Sequence, residues 1–261
     1  MGLVGAQAVV VTDGPVVTPG LTPGVDAGWY REVTEFAATT PGWLADMAEV
    51  ATDAGLAAFA LLFVFAWWRS RRGDARGVAL AVIAPLATVV AYLVSEVTKS
   101  FVREDRPCRA VAGVVTLVPC PATGDWSFPS NHATIAAAAA VALVLAWRRL
   151  AWLVVPLALL LGSTRVYLGV HYPHDVAAGL LLGGGVALLL GLVLAGPLVP
   201  VVRRLRVLPL VGVLMVAGGA AAGRTPEAAG PRAQVMRGPA RRVSTTSVRS
   251  DRTDGGSRRG T

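Results

Sequence analysis

The chain has 261 residues, of which 54% are hydrophobic, and a positive mean hydropathy of +0.59. This composition excludes an ordinary soluble domain. The formal charge of +8 would fit a nucleic-acid-binding protein, but the tail that concentrates the arginines has no aromatic residues on which bases could stack, so we expect no nucleic-acid partner.

The first 25 residues are rich in Gly, Pro, Val and Thr, which predicts a flexible N-terminus over 1–25. They lack the basic start and early apolar core of a cleavable signal peptide. The segment from Trp29 to Glu49 mixes polar and apolar residues and predicts an amphipathic lead-in. It opens a membrane domain that we place at 26–206.

Five apolar runs approach the roughly 20 residues that cross a bilayer as a helix. They are Ala54 to Trp68 (with a start as early as Met47), Gly77 to Val97, Ala133 to Trp147, Leu150 to Ser163 and Val176 to Val202. Only helices and closed barrels satisfy the backbone in lipid, and continuous rather than alternating apolar runs favour helices. The fold class predicted is therefore an all-α, polytopic membrane helical bundle with about five transmembrane helices.

Arginine clusters follow the first, third and fifth runs, as expected for cytoplasmic loops. They are Arg69, Arg71, Arg72 and Arg76; Arg148 and Arg149; and Arg203, Arg204 and Arg206. The first 53 residues hold one arginine against seven acidic residues, which places the N-terminus outside. The loops after the second and fourth runs, 98–131 and 164–175, are then extracytoplasmic.

A sixth apolar run, Val207 to Gly223, is short and rich in Gly and Ala. If it crossed the membrane, the arginine-rich residues 224–261 would lie outside. We therefore favour an inner-surface segment over a sixth helix at 207–223. Residues 224–261 are predicted to be a disordered tail on the anionic cytoplasmic face.

The two cysteines, Cys108 and Cys120, both fall in the first of the extracytoplasmic loops. An oxidising compartment permits a disulfide between them, and two free thiols are the alternative. A zinc site is disfavoured because the sequence has no Cys-x-x-Cys pair with nearby histidines. We predict no metal and no cofactor.

All three histidines lie in two short polar strings, and a third string holds the only lysine. Cations such as Lys99 and Arg106 suit the oxygens of a phosphoryl group. Ser130 or Asn131 is expected to cap a helix whose free N–H groups face an anion, with His132 in its first turn. Arg165 adds a cation.

His171 and Asp175, four residues apart in the string that follows Arg165, are a candidate catalytic pair. Four residues apart on a helix, they share a face, so that the carboxylate can fix the imidazole tautomer and free the other nitrogen to attack. His174 has no evident partner at this spacing and is expected to be structural.

Together the strings resemble the signature of the type-2 phosphatidic acid phosphatase superfamily. They read Lys99-(six residues)-Arg106-Pro107, Pro129-Ser130-Asn131-His132 and Thr164-Arg165-(five residues)-His171-(three residues)-Asp175. The resemblance covers about Ala54 to Val202. Asn131 stands where the family has glycine, and Thr164 where it has serine, which puts the role of the Thr164 side chain in doubt.

The resemblance implies a metal-independent lipid phosphatase. His171 is then the nucleophile that becomes a phosphohistidine, Asp175 orients it, and His132 protonates the leaving oxygen. The implied phosphate ligands are Lys99, Arg106, Ser130, the backbone at Asn131, and Arg165.

The five-span layout, the amphipathic lead-in and the Ser-Phe-Pro-Ser and His-Tyr-Pro strings resemble the bacitracin-resistance type of undecaprenyl pyrophosphate phosphatase. That resemblance implies conversion of undecaprenyl pyrophosphate to undecaprenyl phosphate at the extracytoplasmic face, for cell-wall synthesis. The alternatives are a phosphatidic acid or phosphatidylglycerophosphate phosphatase, and a non-catalytic lipid-binding or transport protein. The sequence makes no prediction of oligomeric state.

Overall fold

The computed structural model describes residues 9–10 and 26–208, and within them the chain is mostly helical. The helices are α1 (Ala27–Ala38), α2 (Gly42–Ser70), α3 (Ala75–Val102), α4 (Pro107–Ala110), α5 (Asn131–Ala146), α6 (Ala151–Tyr167) and α7 (Pro173–Leu205). A two-residue strand, β1 (Val9–Val10), pairs antiparallel with β2 (Val115–Thr116). The predictions for most of 1–25, for 209–223 and for the tail lie outside the described residues.

The helical bundle predicted from the apolar runs is confirmed. Within the described part of the chain, four helical stretches are long and apolar enough to cross a membrane: Gly42–Ser70, Ala75–Ala110, Arg148–Tyr167 and Pro173–Leu205. The remaining predicted span, the third apolar run, is α5, whose 16 residues make it about 24 Å long, less than the ~30 Å of a hydrocarbon core. The bundle therefore has four long helices around a shorter one.

Helix α2 begins twelve residues before the apolar run from which it was predicted. Its first three turns carry Asp46, Glu49 and Asp53, because the amphipathic lead-in divides at Pro41 into α1 and the start of α2. Pro41 precedes the first helical residue, where its fixed φ and missing N–H are tolerated. This extension brings acidic side chains of α2 to the end of the bundle where the polar strings lie.

The short helix α5 occupies the centre of the bundle, in contact with α2, α3, α6 and α7. Nearly all of its alanines are buried, and small side chains let neighbouring backbones approach closely. Gly183 of α7 illustrates the approach, because a Cβ at that position would collide with the carbonyl group of Thr134 in α5. The interface of α5 and α7 holds His132 and Asp175 at its polar end.

The arginine clusters lie at the opposite end of the bundle from the polar strings. Arg71 and Arg72 stack on Trp67 and Trp68, with 4.6 and 4.7 Å between guanidinium carbon and ring centre. Arg206, at the end of α7, donates hydrogen bonds to backbone carbonyls of the α2–α3 turn. Stacked arginine and tryptophan pairs of this kind are typical of a membrane interface.

Helix α1 packs over the loop that joins α6 to α7. The buried Tyr30 hydroxyl donates to the carbonyl oxygen of Gly169 at 2.9 Å, and its ring lies 5.6 Å from the ring of Tyr172. Gly169 has φ +82, in the left-handed region that favours glycine. The α1 helix therefore restrains the backbone just before His171.

In the structure Cys108 and Cys120, the pair for which the sequence allowed a bridge, form a disulfide with 5.9 Å between their Cα atoms. It closes the part of the loop that follows Arg106 and Pro107. The bridge thereby restrains the chain next to one of the predicted phosphate ligands.

Replacing both cysteines by serine should lower the free energy of unfolding by about 3 kcal/mol, because the bridge limits the unfolded chain. The measurement is the thermal midpoint in detergent, compared with that of the wild-type protein. A reducing agent should lower the midpoint of the wild type and leave that of the double variant unchanged. Equal midpoints without reductant would contradict the prediction.

Candidate active site

The site is built where four helix ends and two loops meet. Helix α3 ends one turn after Lys99, and Arg103 adopts a left-handed conformation, φ 51, that redirects the chain toward Arg106. Helix α5 begins at Asn131, α6 ends at Tyr167, and α7 begins at Pro173. The three polar strings therefore converge at one end of the bundle, as the sequence predicted.

His171 lies in the α6–α7 loop, 2% exposed, with a partner at each ring nitrogen. Its Nδ1 is 3.3 Å from Asp175 Oδ2, and its Nε2 is 3.1 Å from a terminal nitrogen of Arg106. Since a carboxylate can only accept, the proton is assigned to Nδ1, and the Nε2 lone pair faces the guanidinium. The structure thus brings His171 and Asp175 together at Nδ1 and leaves Nε2 as the unprotonated ring nitrogen.

Asp175 is fully buried in the first turn of α7. Its Oδ2 accepts from the backbone N–H of Tyr172 at 2.8 Å and from the hydroxyl of Ser127. The Ser127 hydroxyl is also 3.4 Å from His171 Nδ1. Sequence reasoning did not single out Ser127, although it begins the string that ends at His132. These bonds fix the carboxylate and, through it, the imidazole plane.

Arg106 and Lys99 meet at a carboxylate that was not predicted, Asp125. Arg106 is 4% exposed and donates to the Asp125 backbone oxygen and to Asp125 Oδ1, both at 2.9 Å. Lys99 Nζ lies 3.6 Å from the same Oδ1. Asp125 thus holds an anionic oxygen between two predicted phosphate ligands, which shows that this pair of cations accommodates an anion.

Burial and neighbouring charges together determine the protonation states of His171 and Asp125. Burial lowers the pKa of His171 well below its usual value, and the charges of Arg106, Arg165 and Lys99 lower it further. Burial alone would raise the pKa of Asp125, but the hydrogen bond and charge of Arg106 and the charge of Lys99 lower it overall. At neutral pH His171 is therefore neutral and Asp125 is ionised.

Two other predicted phosphate ligands carry buried polar atoms without protein partners. Ser130 is the N-cap of α5, its backbone N–H donates to the Asp175 carbonyl at 3.0 Å, and its Oγ is unbonded among the described residues. Arg165 Nε is likewise buried without a hydrogen-bond partner in that part of the chain. Because unpaired buried donors are costly, both fit a site that binds an anion.

His132 lies in the first turn of α5 and is only partly buried. Its Nε2 is 3.6 Å from Asp53 Oδ1, a carboxylate contributed by the extended start of α2. The Asp53 carboxylate can hold the His132 ring in one orientation, as a residue that transfers a proton requires. Asp53 was not predicted, because its position depends on how α2 packs against α5.

The two departures from the family pattern have different structural consequences. The Asn131 amide donates to Glu96 Oε1 at 2.6 Å, and its oxygen accepts from the Ser95 hydroxyl at 2.7 Å. This side chain therefore ties α5 to α3, and only its backbone remains for the predicted role. Thr164 instead bonds the Thr52 hydroxyl of α2 at 2.9 Å, so its side chain joins two helices.

His174, expected to be structural and without an evident partner at its spacing, is surrounded by carboxylates. Its ring nitrogens lie within hydrogen-bond distance of Asp26 and Glu104, and Nε2 is 3.4 Å from Asp175. Asp26 lies just before α1 and Glu104 lies between α3 and α4, so neither could be paired with His174 from spacing. Sequence spacing showed no partner for His174 because its partners come from other segments of the chain.

Comparison with known proteins places this site in a family. Residues 80–196 match the PAP2 superfamily. An undecaprenyl-diphosphatase of Sulfolobus acidocaldarius is 38% identical over 105 residues, 40% of this chain and 50% of the relative. Undecaprenyl-diphosphatase BcrC of Bacillus subtilis is 35% identical over 141 residues, 54% of this chain and 67% of the relative.

A solved structure, the transmembrane PAP2-type phosphatidylglycerolphosphate phosphatase of Bacillus subtilis, superposes with a TM-score of 0.49 at 23% identity, covering 64% of this chain and 85% of that one. The chain spans about half to two thirds of the two sequence relatives. Residues 80–196, which match the family, contain all three polar strings. On this sequence match, the chain belongs to the PAP2 superfamily.

Proposed function

We propose that this protein is a metal-independent membrane lipid phosphatase that converts undecaprenyl pyrophosphate to undecaprenyl phosphate through a phosphohistidine at His171. One observation carries the proposal: a buried, neutral imidazole has its Nδ1 held by Asp175 while its Nε2 faces the guanidinium of Arg106. An oriented imidazole whose unprotonated nitrogen lies beside a cation is the arrangement that nucleophilic attack on a phosphoryl group requires.

In the first step, His171 Nε2 forms a bond to the terminal phosphorus, and the bond from phosphorus to the bridging oxygen breaks. The leaving lipid monophosphate takes a proton from His132. Lys99, Arg106 and Arg165 stabilise the charge on the phosphoryl oxygens, and the Ser130 hydroxyl and the start of α5 add donors. The His171 Nδ1 proton remains on the imidazole, directed at Asp175.

In the second step, His132 removes a proton from a water molecule, which attacks the phosphorus of the phosphohistidine. The P–N bond breaks, inorganic phosphate leaves, and His171 regains its Nε2 lone pair. Each proton that His132 gives in the first step is recovered in the second. The cycle therefore returns both histidines to their starting protonation.

The choice of lipid is supported by the relatives named above, two of which are undecaprenyl-diphosphatases. The side of the membrane is supported by charge. The arginine clusters lie at the end of the bundle opposite the site, and arginine-rich ends face the cytoplasm. We place the site on the extracytoplasmic face, where the disulfide next to Arg106 also fits an oxidising compartment.

The test is phosphate release by the purified protein in detergent with EDTA, comparing undecaprenyl pyrophosphate, phosphatidic acid and phosphatidylglycerophosphate. The proposal expects the highest kcat/KM on the diphosphate and full activity without divalent metal. Preference for either glycerolipid would replace the substrate assignment, and a magnesium requirement would overturn the mechanism. The His171→Gln variant measures the background.

Asp125→Asn should strengthen inhibition by inorganic phosphate. Lys99 and Asp125 both line a cavity of about 520 Å³, and the Asp125 carboxylate is paired with Lys99 and Arg106, so an anion that binds these two cations competes with it. Removing that charge should lower the inhibition constant about 3- to 10-fold, since tenfold corresponds to ~1.4 kcal/mol. Asp125→Ala should behave alike, because the backbone carbonyl still accepts from Arg106. An unchanged or higher constant in both variants would contradict this.

A further inference from the structure

His174 joins three segments of the chain that are far apart in sequence. Its Nδ1 lies 2.8 Å from Asp26 Oδ2, and its Nε2 lies 3.1 and 3.2 Å from the two oxygens of Glu104. The same Nε2 is 3.4 Å from Asp175 Oδ1. Carboxylates only accept hydrogen bonds, so both ring nitrogens must carry protons to make both contacts. The geometry therefore describes an imidazolium among three carboxylates.

Burial makes this cation necessary to its neighbours. Asp26, Glu104 and Asp175 are 6%, 7% and 0% exposed, and buried carboxylates are stable only when paired. Asp175 Oδ1 has no hydrogen-bond donor among the described residues, and its ion pair with His174 is its compensation. The rings of Tyr172 and Phe128 lie 5.2 and 5.8 Å from the imidazole and fix its plane.

Two short paths lead from His174 to the nucleophile. Asp175 contacts His174 through Oδ1 and His171 through Oδ2. Glu104 contacts His174 through its side chain, and its backbone oxygen accepts from the Ser127 N–H at 2.8 Å. Ser127 in turn donates to Asp175 Oδ2, next to His171 Nδ1. Both paths end at the groups that orient His171.

We infer that His174 is a positioning residue of the reaction, whose imidazolium holds Asp26, Glu104 and Asp175 together and so fixes the His171 ring for attack. The inference rests on the proposed phosphatase function. It assigns a role to a side chain that touches neither the phosphoryl group nor the proton in transfer.

The test compares wild type, His174→Gln and Glu104→Gln in detergent with EDTA. His174→Gln should lower kcat about 10- to 100-fold with KM little changed, because a misplaced nucleophile slows chemistry and not binding. Glu104→Gln, which keeps the imidazolium and removes one carboxylate, should cost less. Tyr167→Phe is the matched control, since it removes a half-buried hydroxyl bonded to Thr40 at the same end of the bundle and should leave kcat unchanged.

The pH profile separates positioning from general loss of structure. Without the imidazolium, the three carboxylates make the surroundings of His171 more negative, which raises the pKa of His171. The other groups facing the ring, Arg106, Ser127 and Asp175, are unchanged, as are the more distant charges of Lys99, Arg165 and His132. Because attack needs neutral His171, the acid limb of kcat/KM should move to higher pH by about one unit in His174→Gln.

The double variant tests the contact directly. His174→Gln with Glu104→Gln should lose less kcat than the product of the single losses, because the second change removes a charge that the first left unpaired. A wild-type pH profile and kcat in His174→Gln, or independent effects in the double variant, would overturn the inference. So would one equivalent of divalent metal in purified wild type that is lost in His174→Gln, which would make the cluster a metal site.

The two failures are distinguishable. If wild type itself releases no phosphate, or if its activity survives His171→Gln, the proposed function fails. If wild type is active and depends on His171, but His174→Gln matches it in kcat and pH profile, only the positioning role fails.

Discussion

Replacing His171 with glutamine should lower kcat/KM on undecaprenyl pyrophosphate by about 10⁴-fold or more, the largest effect expected of any single substitution here. Glutamine fills much of the same buried space but has no nitrogen lone pair to form a bond to phosphorus. Losses of this size are typical when the nucleophile of a covalent mechanism is removed. The measurement is phosphate release at saturating and limiting substrate.

Asp175→Asn is the matched comparison for His171→Gln. It leaves the nucleophile in place and replaces the carboxylate that faces His171 Nδ1 at 3.3 Å. Activity should fall because the imidazole loses the group that orients it. The loss should be smaller than in His171→Gln, because the attacking nitrogen is still present. A His171→Gln variant that is folded, monodisperse and within tenfold of wild type would rule out a phosphohistidine at this residue.

The second large effect is expected for His132→Ala. General acid–base help is worth about 10²–10⁴-fold, so loss of the leaving-group acid should lower kcat by that range. The loss should depend on the leaving group. The comparison is made on the first step, because His132 also activates water in the second. The initial burst of phenolate from an aryl phosphate, whose leaving group needs no proton, should be slowed far less by His132→Ala than the burst of undecaprenyl phosphate from the lipid diphosphate.

His171→Gln provides the contrast for this leaving-group test, because it should be equally inactive on both substrates. A uniform loss of the first-step rate on both substrates in His132→Ala would mean that His132 acts by binding and not by proton transfer to the leaving group. A loss of only a few fold on the lipid diphosphate would remove His132 from the reaction altogether.

The helical bundle and the position of the site could be predicted because both depend on local patterns. Apolar runs identify the helices. The arginine clusters mark alternate loops as cytoplasmic, and the polar strings then fall at helix ends on the other face of the membrane. The contact of His171 with Asp175 was predicted from a spacing of four residues on one helix, but His171 lies in the loop before α7, so the two meet where that loop enters the helix and not on a common helix face. The disulfide could be predicted because the chain has two cysteines, both in one loop.

The contacts that could not be predicted join residues brought together only by packing. Asp125 reaches Lys99 and Arg106 because the loop after the disulfide folds back toward α3. Asp53 reaches His132 because α2 extends well beyond its apolar run. No periodicity or spacing reports such contacts, since each depends on the relative placement of separate helices.

For His174 and Asn131 the sequence identified the residue but not its partners. The sequence identifies both positions, but their partners, Asp26 and Glu104 for His174 and Ser95 and Glu96 for Asn131, come from other elements. In each case a buried or half-buried polar group finds a compensating partner, as buried polar groups must. Which partner it finds is a property of the folded chain.

The most direct test of the account is to trap the covalent intermediate. Purified protein in EDTA is mixed with undecaprenyl pyrophosphate labelled with ³²P at the terminal phosphate and quenched in base within milliseconds. We predict label that is stable in base and labile in acid, on the peptide that contains His171, and no label in His171→Gln. Turnover without any protein-bound label, or label on another residue, would contradict the account.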